Sequence, residues 1–225
     1  MPGKIIVMEG LDGSGKLTQS QILAENLKSK GYNIKLISMP DYNNLSSGPV
    51  RLYLEGKISL NIHEINAYAA SSFFAVDRYI SYMSDWKSFH EKKDSILICD
   101  RYTTSNMIYQ LAKIAPEFYD EFLEWLCEYE YIKLSIPKPD LVIYLKIPIE
   151  ISRNLIKIRC KEKRFEKDLH ESDEKYLIQC EACAKYLTEK FGWQTLNCSS
   201  DGKKIDSIKK ISNKVIKVFN KYILF

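Results

Sequence analysis

The sequence predicts an α/β fold with three layers: a mostly parallel five-stranded sheet between two layers of helices. Three observations carry that expectation. Short apolar runs alternate with helix-length segments along the whole chain, as in strands linked by crossover helices. Runs such as Ile5-Ile6-Val7-Met8 are apolar throughout rather than at every second residue, as in strands covered on both faces. The first run passes through a glycine-rich loop straight into a helical pattern.

In order, residues 4–9 read as the first strand. The helix after the loop carries Ile22, Leu23, Ala24 and Leu27 on one side, and Gly31 is a left-handed stop. Residues 33–39 make a second strand and close a β-α-β unit. A loop starts at Met39-Pro40-Asp41-Tyr42, and Gly48-Pro49 marks a turn. Residues 67–83 are helical and nearly free of charge, so Asp77 and Arg78 within them need a reason. Residues 95–99 form a strand that ends in Asp100-Arg101-Tyr102. Helices follow at 105–114 and 116–132, the second opened by its proline. Lys138-Pro139-Asp140 leads into a strand at 141–147, and Pro148 opens a helix to about residue 160. A charge run covers 161–168. Then come a helix at 173–191, a short strand at 193–196 and a last helix at 203–224. In such a sheet, functional groups collect beyond the carboxyl ends of the strands. Residues 9–12, 39–42 and 100–102 all fall there.

A chain of 225 residues suits a single domain over 1–225. The net charge of +4 is mild and its lysines are spread out, which argues against nucleic-acid binding. With 27 lysines against six arginines, an arginine inside a motif is unlike surface filler. No apolar stretch reaches the roughly 20 residues of a membrane span, and no secretory signal is visible, so no membrane association is expected. The six cysteines do not suggest a disulfide framework. Cys180 and Cys183 lie one turn apart inside a helical pattern and read as structural. A reduced, cytoplasmic protein is expected.

The chemistry starts at Gly10-Leu11-Asp12-Gly13-Ser14-Gly15-Lys16-Leu17-Thr18, a phosphate-binding pattern between strand and helix. The glycines let backbone N–H groups converge on phosphate oxygens, the helix adds its positive end, and Lys16 adds a point charge. The pattern asks for Ser or Thr after the lysine to hold Mg²⁺; this chain has Leu17. Asp12 inside an anion-binding loop calls for a facing cation. Asp100 and Arg101 could reach metal and phosphate. Phe74 and Arg78 share one helix face and could stack on and hydrogen-bond a base. On periodicity alone Phe74 reads as core, and Arg101 reads equally as a structural salt bridge.

These residues resemble the thymidylate kinases, of the P-loop nucleoside-monophosphate kinase group. The resemblance is carried by Glu9-Gly10-Leu11-Asp12-Gly13-Ser14-Gly15-Lys16 with Thr18-Gln19, by Phe74-Ala75-Val76-Asp77-Arg78, by Asp100-Arg101-Tyr102 with Ser105, and by Lys138-Pro139-Asp140-Leu141. It implies a P-loop NTPase fold with a short lid at about 159–172, and transfer of the γ-phosphoryl of ATP to dTMP with Mg²⁺ as cofactor. By resemblance, the catalytic residues are Asp12, Lys16 and Arg101. ATP is held by residues 10–18 with Arg159 and Arg164 of the lid. The acceptor is held by Asp12, Pro40, Phe74, Arg78, Arg101, Tyr102, Ser105, Asn106 and Gln110, and the metal by Asp100. A homodimer packed through helices is also implied. Three residues depart from the family pattern: Leu17, Ser38 where an Arg often stands, and Lys146 where an acidic residue is usual. Two other readings remain open: a same-fold kinase for another deoxynucleotide or deoxynucleoside, and a nucleotide-binding protein without turnover.

Overall fold

In the computed structural model, the structure describes residues 2–163, 170 and 173–223, with the side chains of 159–163 excepted. Five strands, β1 (Lys4–Glu9), β2 (Asn33–Ser38), β3 (Ser95–Asp100), β4 (Leu141–Lys146) and β5 (Gln194–Asn197), form one sheet in the order β2-β3-β1-β4-β5. Every pairing is parallel. The central strand β1 is flanked by β3 (Lys4↔Ile96 to Met8↔Asp100) and β4 (Ile6↔Leu141 to Glu9↔Tyr144).

The continuous apolar runs find cover on both sides. Ile5, Val7, Leu97, Cys99, Val142 and Tyr144 join one core. It includes residues of α3 (Ala67–Ser81), α5 (Thr103–Leu111), α6 (Tyr119–Cys127) and α8 (Glu174–Phe191). Ile6, Met8, Ile96, Ile98, Ile143 and Leu145 join another, with α1 (Lys16–Ser29) and α9 (Ile208–Ile223). This is the three-layer α/β/α arrangement the sequence predicts. Cys180 and Cys183 are buried in the first core, and burial raises both thiols.

Several local expectations are corrected. Gly48-Pro49 starts a helix rather than a turn: α2 (Gly48–Leu54) has its proline in the first turn, where the missing N–H costs nothing. Val50, Tyr53 and Leu54 of α2 bury against Ala70, Phe73 and Phe74. The helix from residue 67 leaves α-geometry at Ser81 and passes through a π-helical turn, Tyr82–Trp86, into α4 (Lys87–His90). α5 starts at Thr103, two residues early. After α6 the chain makes a second π-helical turn, Glu128–Lys133. α7 (Ile149–Lys163) follows β4. The last helix begins at Ile208 rather than 203. Asp206 holds the preceding loop by accepting from Ser200 Oγ (2.8 Å), Lys210 Nζ (3.0 Å) and Lys214 Nζ (2.9 Å).

Candidate active site

The phosphate loop leaves β1 at Glu9. Gly10 takes φ +151°, and a Cβ there would lie 2.7 Å from the Leu145 carbonyl oxygen, so no side chain fits. Gly15, at φ +87°, turns the chain into α1. The first turn of α1 carries no acidic residue, so the helix dipole offers its positive end to an anion. Lys16 is buried, with Nζ donating to the Leu11 carbonyl at 2.9 Å and 3.9 Å from Asp12. Burial, then the Arg101 cation, hold its ammonium below the usual lysine range, against Asp12 and Asp100. Leu17 and Thr18 are both exposed on the outer side of the helix.

Parallel pairing of β1 with β3 sets Asp100 beside Met8, at the mouth of the loop. Asp100 Oδ2 accepts from Ser38 Oγ at 3.3 Å, while its buried Oδ1 meets no donor among the described residues. Arg101 takes φ +67°, a left-handed conformation that costs a non-glycine residue energy, with its N–H donating to the Met8 carbonyl (3.2 Å). Its guanidinium pairs with Asp12, donates to Ser105 Oγ (3.2 Å) and lies 5.4 Å over the Tyr109 ring. Burial works against that charge, but Asp12, followed by Tyr109, Glu9 and Asp100, outweighs it and pushes the pKa up. Asp12 also accepts from the Tyr109 hydroxyl at 3.0 Å. The cation that the loop carboxylate calls for is therefore Arg101.

Beside this cluster opens a cavity of about 320 Å³. It is lined by Asp12, Pro40, Phe74, Arg78, Arg101, Tyr102, Ser105, Asn106 and Gln110, the whole expected acceptor set, and by Asp100. Both polar atoms of the Gln110 carboxamide are buried without a partner among the described residues. Tyr102 turns its hydroxyl away, to the Pro137 carbonyl (2.8 Å), and offers its ring. Phe74 meets the Tyr53 ring edge-on, centroids 6.1 Å apart. Asp77 is explained as an anchor: it accepts from Ser46 Oγ (2.5 Å) and the Asp41 N–H (3.2 Å) and so ties down the loop after β2.

Arg78 differs from expectation. Its guanidinium is not wholly at the disposal of a ligand, because Nε and Nη2 bind Glu130 at 2.6 and 3.0 Å. Sequence reasoning missed Glu130, Tyr109, His170 and the role of Glu9. Fully buried Glu9 accepts from Thr104 Oγ1 (2.7 Å) and Ser105 Oγ (2.8 Å), knitting the loop to α5. His170 stacks on Tyr109 (centroids 5.1 Å) and its Nε2 lies 2.8 Å from the Tyr53 hydroxyl. Burial, then Lys113, push its pKa down to about 3, so the ring is neutral. The Arg159 side chain and Arg164 lie outside the described residues, as does most of the expected lid.

Among the described residues no group of three or more His, Cys, Asp or Glu could enclose a metal alone. The unpartnered Asp100 Oδ1 fits a cation shared with nucleotide phosphates and water.

Residues 8–208 match the thymidylate kinase family model. A probable thymidylate kinase of Pyrococcus horikoshii is 34% identical over 74% of this chain and 76% of its own length. A thymidylate kinase of Schizosaccharomyces pombe is 30% identical over 88% and 85%. The solved structure of the Candida albicans thymidylate kinase superposes with a TM-score of 0.71 at 22% identity, covering 98% of this chain and 92% of that one. Phosphate loop, facing arginine and lined cavity thus sit in a sheet of the matching fold, and the chain belongs to the thymidylate kinase family.

Proposed function

We propose that the loop at 10–18 binds ATP, that the cavity binds dTMP, and that Arg101 works between them. The reaction is transfer of the γ-phosphoryl of ATP to dTMP, giving dTDP and ADP. An oxygen of the dTMP phosphate bonds to the γ-phosphorus as the bond to the ADP oxygen breaks. Such transfer needs positioning and charge neutralisation rather than covalent chemistry. Lys16 and the loop amides hold the ATP phosphates. Arg101 neutralises charge on the acceptor side, and Asp12 with Tyr109 holds Arg101 there. Phe74 stacks on the base, Arg78 hydrogen-bonds it, and Pro40, Tyr102, Ser105, Asn106 and Gln110 complete the wall. Asp100, together with the nucleotide phosphates, would hold Mg²⁺, which would supply Lewis-acid charge neutralisation. Arg159 and Arg164 complete the ATP side. The observation that carries the reading is the placing of Arg101, at a strained φ, between the loop carboxylate and the cavity.

A panel of nucleoside monophosphates with ATP–Mg²⁺, read as diphosphate product, tests it. dTMP is expected to be the best acceptor. dUMP, lacking one methyl group, should be weaker by about 1–3 kcal/mol, or 10–200-fold. Equal or better use of dCMP, AMP or GMP would overturn the assignment. A protein that binds nucleotides without turnover is not favoured, because lysine, arginine and orphaned carboxylate are all in place.

Leu17 should raise the Mg²⁺ requirement without silencing the enzyme, since a water can stand in for the missing hydroxyl. Leu17 is 48% exposed, so Leu17→Thr disturbs little packing. That variant should reach half-maximal rate at lower Mg²⁺, in a titration of initial rate against free metal. An unmoved titration would show that the position does not bear on the metal.

A cytoplasmic homodimer completes the proposal. Val76, Tyr79 and Ile80 of α3 and Met83 of the π-helical turn after it stay 38–48% exposed at helical spacing, a stripe suited to a second copy of this chain. No helix among the described residues is long and apolar enough to cross a membrane.

A further inference from the structure

His170 fills a place where an apolar ring would carry no desolvation cost. It is 5% exposed and sits among three tyrosines, its ring centroid 5.3 Å from that of Tyr53, 5.1 Å from Tyr109 and 5.4 Å from Tyr176. A buried imidazole needs a hydrogen bond to offset its lost hydration. One joins Nε2 to the Tyr53 hydroxyl at 2.8 Å. Lys113, just past the end of α5, donates from Nζ to the same hydroxyl at 2.7 Å and to the Ile65 carbonyl at 3.1 Å. Burial, then Lys113, keep the imidazole neutral. A neutral ring is thus tied by its polar edge to α2 while its face lies on Tyr109 of α5, with 15° between the two planes. A phenylalanine would fill the same space but could slide over Tyr109. The bond to Tyr53 fixes where the ring lies.

Tyr109 in turn sets the direction of the loop carboxylate. Its hydroxyl donates to Asp12 Oδ2 at 3.0 Å, and Arg101 pairs with Oδ1. Lys16 Nζ lies 3.9 Å from that same Oδ1. Asp12 therefore stands between two cations, and the bond to Oδ2 holds it in the orientation that serves Arg101. The backbone of Tyr109 is fixed separately, because the Tyr176 hydroxyl donates to its carbonyl. What remains to be fixed is the Tyr109 ring, and His170 lies over it. We propose that His170 is a positioning residue for phosphoryl transfer: tied to Tyr53 and stacked on Tyr109, it aims the Tyr109 hydroxyl at Asp12 and so holds Arg101 at the phosphate end of the cavity. This rests on the reading of Arg101 as the cation that serves the acceptor phosphate.

The test deletes single atoms of this chain of contacts. Tyr53→Phe removes the oxygen that joins Lys113 to His170 and keeps every ring. The single-turnover rate of transfer from ATP to dTMP should fall about tenfold, with KM for either substrate within about threefold of wild type, because a small misplacement in a site slows the chemical step more than it weakens binding. His170→Phe keeps the stack and breaks the same bond. It should show the same loss, and the double variant should lose no more than either single one. In a Tyr109→Phe background, which lacks the hydroxyl, neither change should slow transfer further, because both act through that hydroxyl. Melting temperature is followed throughout. If one single variant does not fold, the other carries the test. An unchanged transfer rate with only the melting temperature lowered would make the contacts structural and overturn the proposal. A raised KM for dTMP at an unchanged transfer rate would also overturn it, by making His170 a cavity contact alone. So would a full further loss in the Tyr109→Phe background. A full rate in Arg101→Ala would instead overturn the reading of Arg101 itself.

Discussion

Replacing Arg101 with Ala should lower kcat/KM for dTMP by about 10³–10⁵, the range for arginines that neutralise a phosphoryl group in transfer. Arg101→Lys should recover little of it. A compact ammonium cannot span Asp12 and Ser105 while also facing a phosphate, whereas the planar fork can. The backbone at Arg101 makes the experiment sharper. At φ +67°, Gly is at ease and Ala is not. Arg101→Gly should thus be as inactive as Arg101→Ala but melt higher. Steady-state kinetics with thermal melts of the three variants checks this. Wild-type rates in Arg101→Lys would reduce the residue to a general positive charge, and equal melting of the Ala and Gly variants would deny the strain.

Lys16→Met should lower kcat by about 10²–10³, the loss on removing one preorganised donor, and raise the KM for ATP. The lysine stem is packed and its ammonium is held in a dry site, where a charge acts more strongly than in water. Met keeps the stem volume, so the melting temperature should hold within a few degrees. Initial rates and calorimetric titration with ATP separate the two effects. A kcat within tenfold of wild type would leave phosphate binding to the loop amides and helix dipole alone.

The sheet and the loop were legible because each rests on local chemistry. A strand covered on both faces reads as an unbroken apolar run, and Ile5 to Met8 could be little else. Gly10 must be glycine for its neighbour's carbonyl to approach. What the sequence hid depends on turns and distant partners. The proline at 49 punctuates a loop and opens a helix equally well, so the sequence alone does not separate α2 from a turn. A π-helical turn differs from an α-helical one by a single residue, which hydrophobic spacing does not resolve. That turn carries Glu130, whose donors come from α3 and α5, so no short spacing foretells it. Arg78 stands out in the sequence as a charge in an apolar helix, but its partner lies 52 positions on. His170 likewise meets Tyr53 across 117 positions.

The order of strands in the sheet also governs when this chain becomes competent during synthesis. β1 is made first but lies at the centre, and its ladders wait for Ile96 on one side and Leu141 on the other. The loop after it is braced from outside by Leu145, whose carbonyl closes on Gly10. A ribosome adding about 5–20 residues per second needs roughly 7–30 s to reach the end of β4. Until then the first strand can pair only on its β3 side, and the glycine loop after it lacks the brace from β4. ATP therefore cannot template the early fold of the nascent chain. It meets a finished cradle only after β4 has emerged.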